Sequence, residues 1–286
     1  MGSVTALTSG GKIKFTKNKF TIGGIQINNF SLTAAAKNIC DEVLAVKAFS
    51  FFTMNLDHVV KMRSDKSFKA ACRRARFVSA GGFPIVFLGS LTAQLFKRVA
   101  GSDLIIPICA EAERKGVSVF LYGSSYDVLL TAAQTLSARF PGLIMAGVYA
   151  PPVNFDPTSS DADKDIKMIQ SSGAQVCFVA LGAPKQELFA DRNINSRSSV
   201  SMICIGAGLD FLAGKHVRAP LLLQHAGCEW LWRLIHDPRR LARRYASCFA
   251  VLPSLFTTAI LDQCFALLRQ ETRKSTKTIS AQGAET

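Results

Sequence analysis

The sequence lacks the usual signatures of metal sites, disulfide frameworks and export. It holds eight cysteines and four histidines, but no two cysteines form a CxxC pair and no two histidines have the spacing of metal ligands. Several cysteines lie in apolar runs, which favours small core residues in a reducing compartment over disulfides. No apolar signal segment follows Met1, so we expect no secretory signal. No Asp-x-Asp pair ends a strand-like run, so we predict no metal at a diphosphate and no other cofactor.

Two common nucleotide-binding signatures are also absent. The turn Gly123-Ser124-Ser125 stands between a strand-like run and a helix-like run, where backbone N–H groups can hold a phosphate. It is neither GxGxxG nor GxxxxGK[ST], so the sequence has no dinucleotide fingerprint and no P-loop there. Gly123 is therefore a candidate phosphate-binding residue, with an ordinary tight turn as the alternative.

Acidic residues are few relative to basic ones, and the net charge is +14. Such an excess indicates an anionic partner, which could be nucleic acid, an anionic membrane surface or a phosphorylated substrate. The basic residues after Pro238 precede a mostly apolar stretch at 245–268 rather than interleaved aromatics, which favours a membrane over nucleic acid. A bilayer span needs about 20 apolar residues. This stretch has that length but contains Pro253 and Asp262, so we expect an interfacial helix pair, with a span as the alternative.

The central part of the chain alternates strand-like and helix-like runs. Val176–Leu181 and Ser201–Ile205 are short apolar runs that end in glycine-bearing loops, and Pro184 suits the first turn of a helix. This pattern predicts an α/β fold with a Rossmann-like, mostly parallel sheet flanked by helices, and a ligand crevice at the carboxyl ends of the strands. We divide the chain into a mobile arm (1–20), an α/β domain (21–227), a basic and apolar helical appendage that associates with membranes (228–270) and a disordered tail (271–286).

Four blocks, in this order, resemble the WecB/TagA/CpsF family of bacterial glycosyltransferases: LGAPKQE, IGAGLDFLAG, VRAP and CEWLWRLIHDPRRLARRY. The resemblance extends over about residues 24–245. It implies an inverting glycosyltransferase that moves a sugar from a UDP-sugar to a polyprenyl-pyrophosphate-linked saccharide in surface or exopolysaccharide biosynthesis. It also implies a cytoplasmic protein that is peripheral on the inner face of the cell membrane. The sequence leaves a homo-oligomer open, and we expect no nucleic-acid partner.

The resemblance also implies site residues. Thr53 and Asn55 match a Thr-x-Asn block that lines the active site, with strand-end capping as the alternative. Gln186, and with it Lys185 and Glu187, is assigned to the donor pocket, with helix capping as the alternative. The further expected substrate-binding residues are Arg98, Asp210, Arg218, Arg233, Arg239 and Arg240. Such arginines would oppose the charge of the leaving diphosphate, whereas for Arg243 and Arg244 a solvated helix face is an equal alternative.

Gly81 is the main departure from the family pattern. An Asp-Gly pair is expected where this chain has Gly81-Gly82, and that Asp is the proposed general base for the acceptor hydroxyl. Loss of a positioned base costs about 10²–10⁴-fold in rate. Either Asp57, Asp103 or Asp210 serves instead, or the chain is a catalytically impaired protein that binds a nucleotide-sugar or a lipid phosphate. For Asp103, capping of the following helix is a further alternative.

Overall fold

A computed structural model describes most of the chain, with short gaps. The described residues are 13–16, 19–45, 48–91, 95–215, 218–220, 222–223, 227–239 and 241–260. Within them, the strands are β1 (Ile13–Thr16), β2 (Lys19–Ile22), β3 (Ile25–Asn28), β4 (Ser50–Met54), β5 (Phe77–Ala80), β6 (Val119–Gly123), β7 (Met145–Tyr149), β8 (Val176–Ala180) and β9 (Ser201–Cys204).

Helices follow most of these strands. They are α1 (Leu32–Ala45), α2 (Leu56–Ser64), α3 (Lys66–Arg74), α4 (Phe83–Ser90), α5 (Gly101–Lys115), α6 (Tyr126–Arg139), α7 (Ser160–Ser171), α8 (Lys185–Asn195), α9 (Gly208–Leu212) and α10 (Glu229–His236). A further helix, α11, comprises residues 241–260.

The described strands form one sheet in the order β1-β2-β3-β5-β4-β9-β8-β6-β7. The pairs β1–β2 and β2–β3 are antiparallel, and every other pair is parallel. The predicted α/β fold with a mostly parallel sheet and flanking helices is therefore confirmed. Strand β9 lies between β4 and β8, so the carboxyl ends of these three strands are neighbours.

The central strands are apolar because helices cover both faces of the sheet. All five residues of β6 and of β8 are buried, as parallel sheets require. Successive residues point to opposite faces: Phe51 belongs to the core cluster that includes residues of α1 and α5, and Phe52 to the cluster that includes residues of α2 and α8. Two separate hydrophobic layers thus pack against the two faces of the sheet and position the loops at its edge.

The predicted mobile arm at residues 1–20 needs a correction. Residues 13–16 and 19–22 form antiparallel strands β1 and β2, which extend the sheet beyond β3. Phe20 and Ile22 are fully buried, so β2 contributes to the core. The lysines of this segment suggested a polar arm, but lysine is also common on edge strands. Residues 1–12, 17 and 18 lie outside the described residues.

Helix α11 packs on the α/β core. Leu255 and Ala259 are fully buried in the same core cluster as β4, and the Phe256 ring lies 5.4 Å from the Phe87 ring of α4. Much of the apolar character of the predicted 228–270 appendage therefore serves core packing. None of the helices in the described residues is long and apolar enough to cross a membrane. Residues 261–286, which include the predicted tail, lie outside the described part of the chain.

Candidate active site at the carboxyl ends of the strands

Five loops meet at the edge of the sheet where β5, β4, β9, β8 and β6 end. This is the edge at which open parallel sheets bind ligands. The loops carry most of the residues that the sequence singled out. Two polar clusters form here, which we call the histidine cluster (Asn55, His58, Gln186, Glu187 and the backbone of Gly206) and the arginine cluster (Arg98, Asp103, Arg218, Glu229 and Arg233).

Asn55 begins the histidine cluster at the end of β4. It is the N-cap of α2: its Oδ1 accepts a hydrogen bond from the His58 backbone N–H at 3.2 Å, and its own N–H donates to His58 Nδ1 at 3.4 Å. The capping alternative for Asn55 is therefore confirmed, and its contact with a substrate stays a prediction. His58 itself was not predicted, although the Asn-x-x-His spacing of a capping box could have revealed it.

Gln186 and Glu187 complete the histidine cluster from the first turn of α8. Their side chains are 4% and 0% exposed. Gln186 Nε2 donates to Glu187 Oε1 at 2.6 Å, and Gln186 Oε1 accepts from the Gly206 N–H at 3.0 Å. Gln186 is thus nearly enclosed and oriented by protein groups, and its direct contact with a donor stays a prediction. The helix start after Pro184 is as predicted, but neither side chain caps it.

Gly81 lies directly beside Thr53. Its N–H donates to Met54 O at 2.7 Å, and a Cβ built on Gly81 would lie 3.1 Å from both Cβ and O of Thr53. A side chain at position 81 would therefore project next to Thr53 and would require a shift of a few tenths of an ångström. The resemblance places the family's base at this position, and here the position carries no side chain.

The three carboxylates considered as replacement bases differ in their partners. Asp57 Oδ2 lies 2.6 Å from Lys61 Nζ and 3.1 Å from the Arg244 guanidinium. Asp210 Oδ1 accepts from the Ser124 hydroxyl at 2.8 Å. Among the described contacts, Asp210 has no cationic partner.

Asp103 organises the arginine cluster. Its carboxylate accepts a hydrogen bond from Arg98 at 2.8 Å and a second one from Arg218. The capping alternative for Asp103 is wrong, because α5 begins at Gly101 with Ala100 as its N-cap. Two buried glycines place this cluster at the crevice. A Cβ built on Gly101 would lie 2.6 Å from Ile205 Cα at the end of β9, and one on Gly208 would lie 3.1 Å from Ser102 Cα.

Helix α10 adds the rest of the arginine cluster. Glu229 pairs with Arg233, and Glu229 Oε2 lies 3.8 Å from Arg98. The guanidinium carbons of Arg218 and Arg233 lie 5.8 and 5.2 Å from the centre of the Phe211 ring, close enough for cation–π attraction. Arg218 Nε is buried without a hydrogen-bond partner. The cluster thus has three guanidinium groups and two carboxylates, an excess of one positive charge.

Gly123 has a packing explanation. Its φ is +106°, and a Cβ there would lie 2.6 Å from the carbonyl oxygen of Ala180 on the neighbouring strand β8. Glycine is thus required by the close approach of two strands, and phosphate binding at this turn stays a prediction. The next residue, Ser124, ties this loop to α9 through its bond to Asp210.

The remaining basic residues are dispersed. Arg239 and Arg243 are exposed, and Lys185 is half-buried in the first turn of α8. Arg244 is also exposed, as a solvated helix face requires, and its guanidinium lies 3.1 Å from Asp57 Oδ2. Arg240 lies outside the described residues.

The cysteines near the site are expected to be unreactive. Burial, and next the charge of Glu187, raise the pKa of Cys72 and Cys204, so both thiols stay neutral. Burial raises the pKa of the Cys248 thiol to about 11. In the described part of the chain, no three His, Cys, Asp or Glu side chains are grouped as metal ligands.

One comparison with known proteins bears on this geometry. The model of the glycosyl transferase WecG/TagA/CpsF family matches residues 20–267, which is most of the chain. The match covers all the loops of the crevice as well as α10 and α11.

Proposed function

The chain belongs to the glycosyl transferase WecG/TagA/CpsF family, which implies a glycosyltransferase of cell-surface polysaccharide synthesis, and from this premise we propose a specific reaction. The protein transfers a sugar from a UDP-sugar, with inversion, to a saccharide carried on polyprenyl pyrophosphate. It acts at the inner face of the cell membrane.

The arginine cluster carries the proposal. Arg98, Arg218 and Arg233 come from three separate segments and converge where α5 meets the end of β9. Guanidinium groups bind phosphate oxygens bidentately, and their charge opposes the negative charge that develops on a leaving diphosphate. In this proposal the acceptor hydroxyl attacks the anomeric carbon, the bond from that carbon to the UDP oxygen breaks, and the arginines stabilise the departing UDP.

The proton of the acceptor hydroxyl needs a destination. Asp57 and Asp103 each pair with two cationic side chains. Among the described contacts, the Asp210 side chain accepts a hydrogen bond only from the Ser124 hydroxyl. A carboxylate without a cationic partner keeps more of its oxygen lone pairs available to accept the proton of a hydroxyl group. Of the three, we therefore propose Asp210 as the first to test.

Gly81 favours a second candidate function. A glycine at the position of the family's base supports a protein that binds a nucleotide-sugar or a lipid phosphate and turns it over slowly or not at all. In that case the arginine cluster would still bind UDP.

The proposed membrane position is supported by exposed apolar residues beside basic ones. Leu231 and Ile235 of α10 are 41% and 66% exposed, Phe249 of α11 is 47% exposed, and Arg239 and Arg243 are exposed nearby in sequence. Retention on anionic liposomes, compared with neutral liposomes and with duplex DNA over a salt series, tests this position. Equal retention on both kinds of liposome would count against it.

The central experiment measures UDP release from a panel of UDP-sugars, with a short-chain polyprenyl-pyrophosphate-linked sugar as acceptor. Wild type is compared with Asp210→Asn, with Arg218→Ala and with Arg114→Ala as the matched control. Arg114 lies on the exposed side of α5 and pairs with Glu111. Turnover that falls in the first two variants alone supports the reaction. Silence on every donor, together with tight UDP binding, supports the binding protein instead.

A further inference from the structure

We propose that His58 is a positioning residue that links the ends of β4, β9 and β8 through the buried carboxylate of Glu187. This inference concerns how the chain holds the crevice together. Only its effect on UDP binding rests on the proposed function.

The first link joins β4 to α8. His58 is 4% exposed, and its two ring nitrogens face opposite ways. Nδ1 lies 2.8 Å from Asn55 Oδ1, and Nε2 lies 3.2 Å from Glu187 Oε1. The imidazole thus connects the residue that ends β4 with the first turn of the helix that follows β8. No other described side chain connects Asn55 to α8.

The second link depends on a carboxylate that is entirely removed from solvent. Glu187 is 0% exposed, its Oε1 faces both His58 Nε2 and Gln186 Nε2, and its Oε2 is buried without a hydrogen-bond partner. A buried carboxylate is costly unless it is paired and hydrogen-bonded. Its described hydrogen-bond partners are His58 and Gln186, and of these only His58 lies outside α8, so Glu187 and His58 hold each other in place.

The third link reaches the middle strand. Gln186 is oriented by its bond to Glu187, and its Oε1 then accepts the Gly206 N–H that follows β9. Because β9 lies between β4 and β8, the path from Asn55 through His58, Glu187 and Gln186 to Gly206 crosses all three strand ends. The loop that begins at Gly206 leads to Asp210 and to Phe211, which lies beneath the arginines.

The inference changes the role of two predicted substrate-binding residues. Gln186 and Glu187 act through Gly206 and through His58, and neither has to touch the donor. Loss of His58 should release Gln186, and with it the Gly206 amide, while the hydrogen bonds between the strands themselves remain.

Amide hydrogen exchange, followed by NMR, tests this directly. The readout is the exchange rate of the Gly206 amide relative to that of Ile205, whose N–H donates to Val179 O at 3.0 Å within the sheet. In His58→Phe, which keeps an aromatic ring but has no ring nitrogen, we expect this ratio to rise about tenfold through local opening. The control is Asn193→Leu, a buried polar residue on the same helix whose Nδ2 donates to Val200 O at 2.8 Å. We expect no change of the ratio there.

General destabilisation would accelerate both amides together and leave the ratio unchanged. An unchanged ratio in His58→Phe, or an equal rise in Asn193→Leu, overturns the inference. If His58→Phe does not fold, His58→Gln is used, which keeps one donor in the pair. The expected rise is then about threefold, and an unchanged ratio again overturns the inference.

Titration with UDP separates this inference from the proposed function. If wild type binds UDP, we expect His58→Phe to weaken binding about tenfold and His58→Gln to recover part of the loss. Wild type that does not bind UDP contradicts the proposed function, whereas the exchange ratio still decides the role of His58.

Discussion

The two polar clusters at the edge of the sheet differ in burial and in charge balance. The histidine cluster is sealed: Gln186 and Glu187 are at most 4% exposed, and its hydrogen bonds end within the protein. The arginine cluster is open: the side chains of Arg98 and Arg233 are 28% and 41% exposed, and it has one more cation than anion. A sealed cluster whose hydrogen bonds are all internal suits positioning, whereas an open cluster with excess charge suits a charged ligand.

The largest expected effect concerns the general base at position 81, which neither cluster supplies. If the family's base position is the only defect, Gly81→Asp should raise turnover by about 10²–10⁴-fold in the UDP-release assay. Gly81→Asn is the control, because it has nearly the same volume and the same approach to Thr53 but no carboxylate. If turnover rises equally in Gly81→Asp and Gly81→Asn, the added side chain itself, rather than a new base, alters the site.

The next largest effect tests whether the open cluster binds the ligand. Arg98→Ala should weaken UDP binding about 10- to 100-fold, since a charge-assisted hydrogen bond to phosphate is lost. The dissociation constant is measured calorimetrically at two salt concentrations, with Arg114→Ala as the control. Binding that does not weaken would place the diphosphate elsewhere and would remove the distinction between the clusters.

The sealed cluster should respond mainly in stability. His58→Leu leaves the Glu187 carboxylate buried with only Gln186 as partner, and we expect a loss of about 3 kcal/mol in the free energy of unfolding. Glu187→Leu in the same background should restore part of it, because an apolar pair replaces a half-paired charge. Urea unfolding of wild type, both single variants and the double variant gives the four free energies of unfolding of a double-mutant cycle. Strictly additive losses would argue against the His58–Glu187 pair.

A smaller effect is expected where α11 meets the crevice. Arg244→Ala removes the ion pair with Asp57 but leaves the Lys61 pair, and the Arg244 side chain is 41% exposed. We expect a loss of no more than about 1 kcal/mol, since solvent screens such pairs. A larger shift in the melting temperature would mean that this pair holds α11 on the core.

The smallest expected effect is on the cysteines near the site. The pKa of Cys248 is raised to about 11 and those of Cys72 and Cys204 are raised by burial, so thiolate becomes abundant only at strongly alkaline pH. Alkylation of these three at pH 8, followed by mass spectrometry, should be negligible in the folded protein and complete in urea. Fast labelling of Cys204 would show that the histidine cluster opens.

Most local structure follows from patterns within the chain. The apolar runs with glycine ends predicted β8 and β9, and Pro184 predicted the start of α8. The local patterns missed contacts between segments that are distant in sequence. The polar sequence of residues 1–20 predicts a mobile arm, because nothing local shows that β3 offers a free edge for pairing. The apolar stretch 245–268 predicts a membrane surface, which stays a prediction, and the contact of Phe256 with Phe87 of α4 could be found only from the fold.

The candidate site shows the same division between features that local sequence determines and contacts that only the fold determines. The sequence alone determined which loops carry polar residues, the excess of positive charge and the absence of a carboxylate at position 81. Only the tertiary structure decided which of these residues meet. His58 and Glu187 are 129 positions apart, and Asp103 and Arg218 are 115 apart. Such pairs form because parallel strands bring distant loops to one edge, and whether a charge there faces a counterion or solvent depends on packing that no local pattern records.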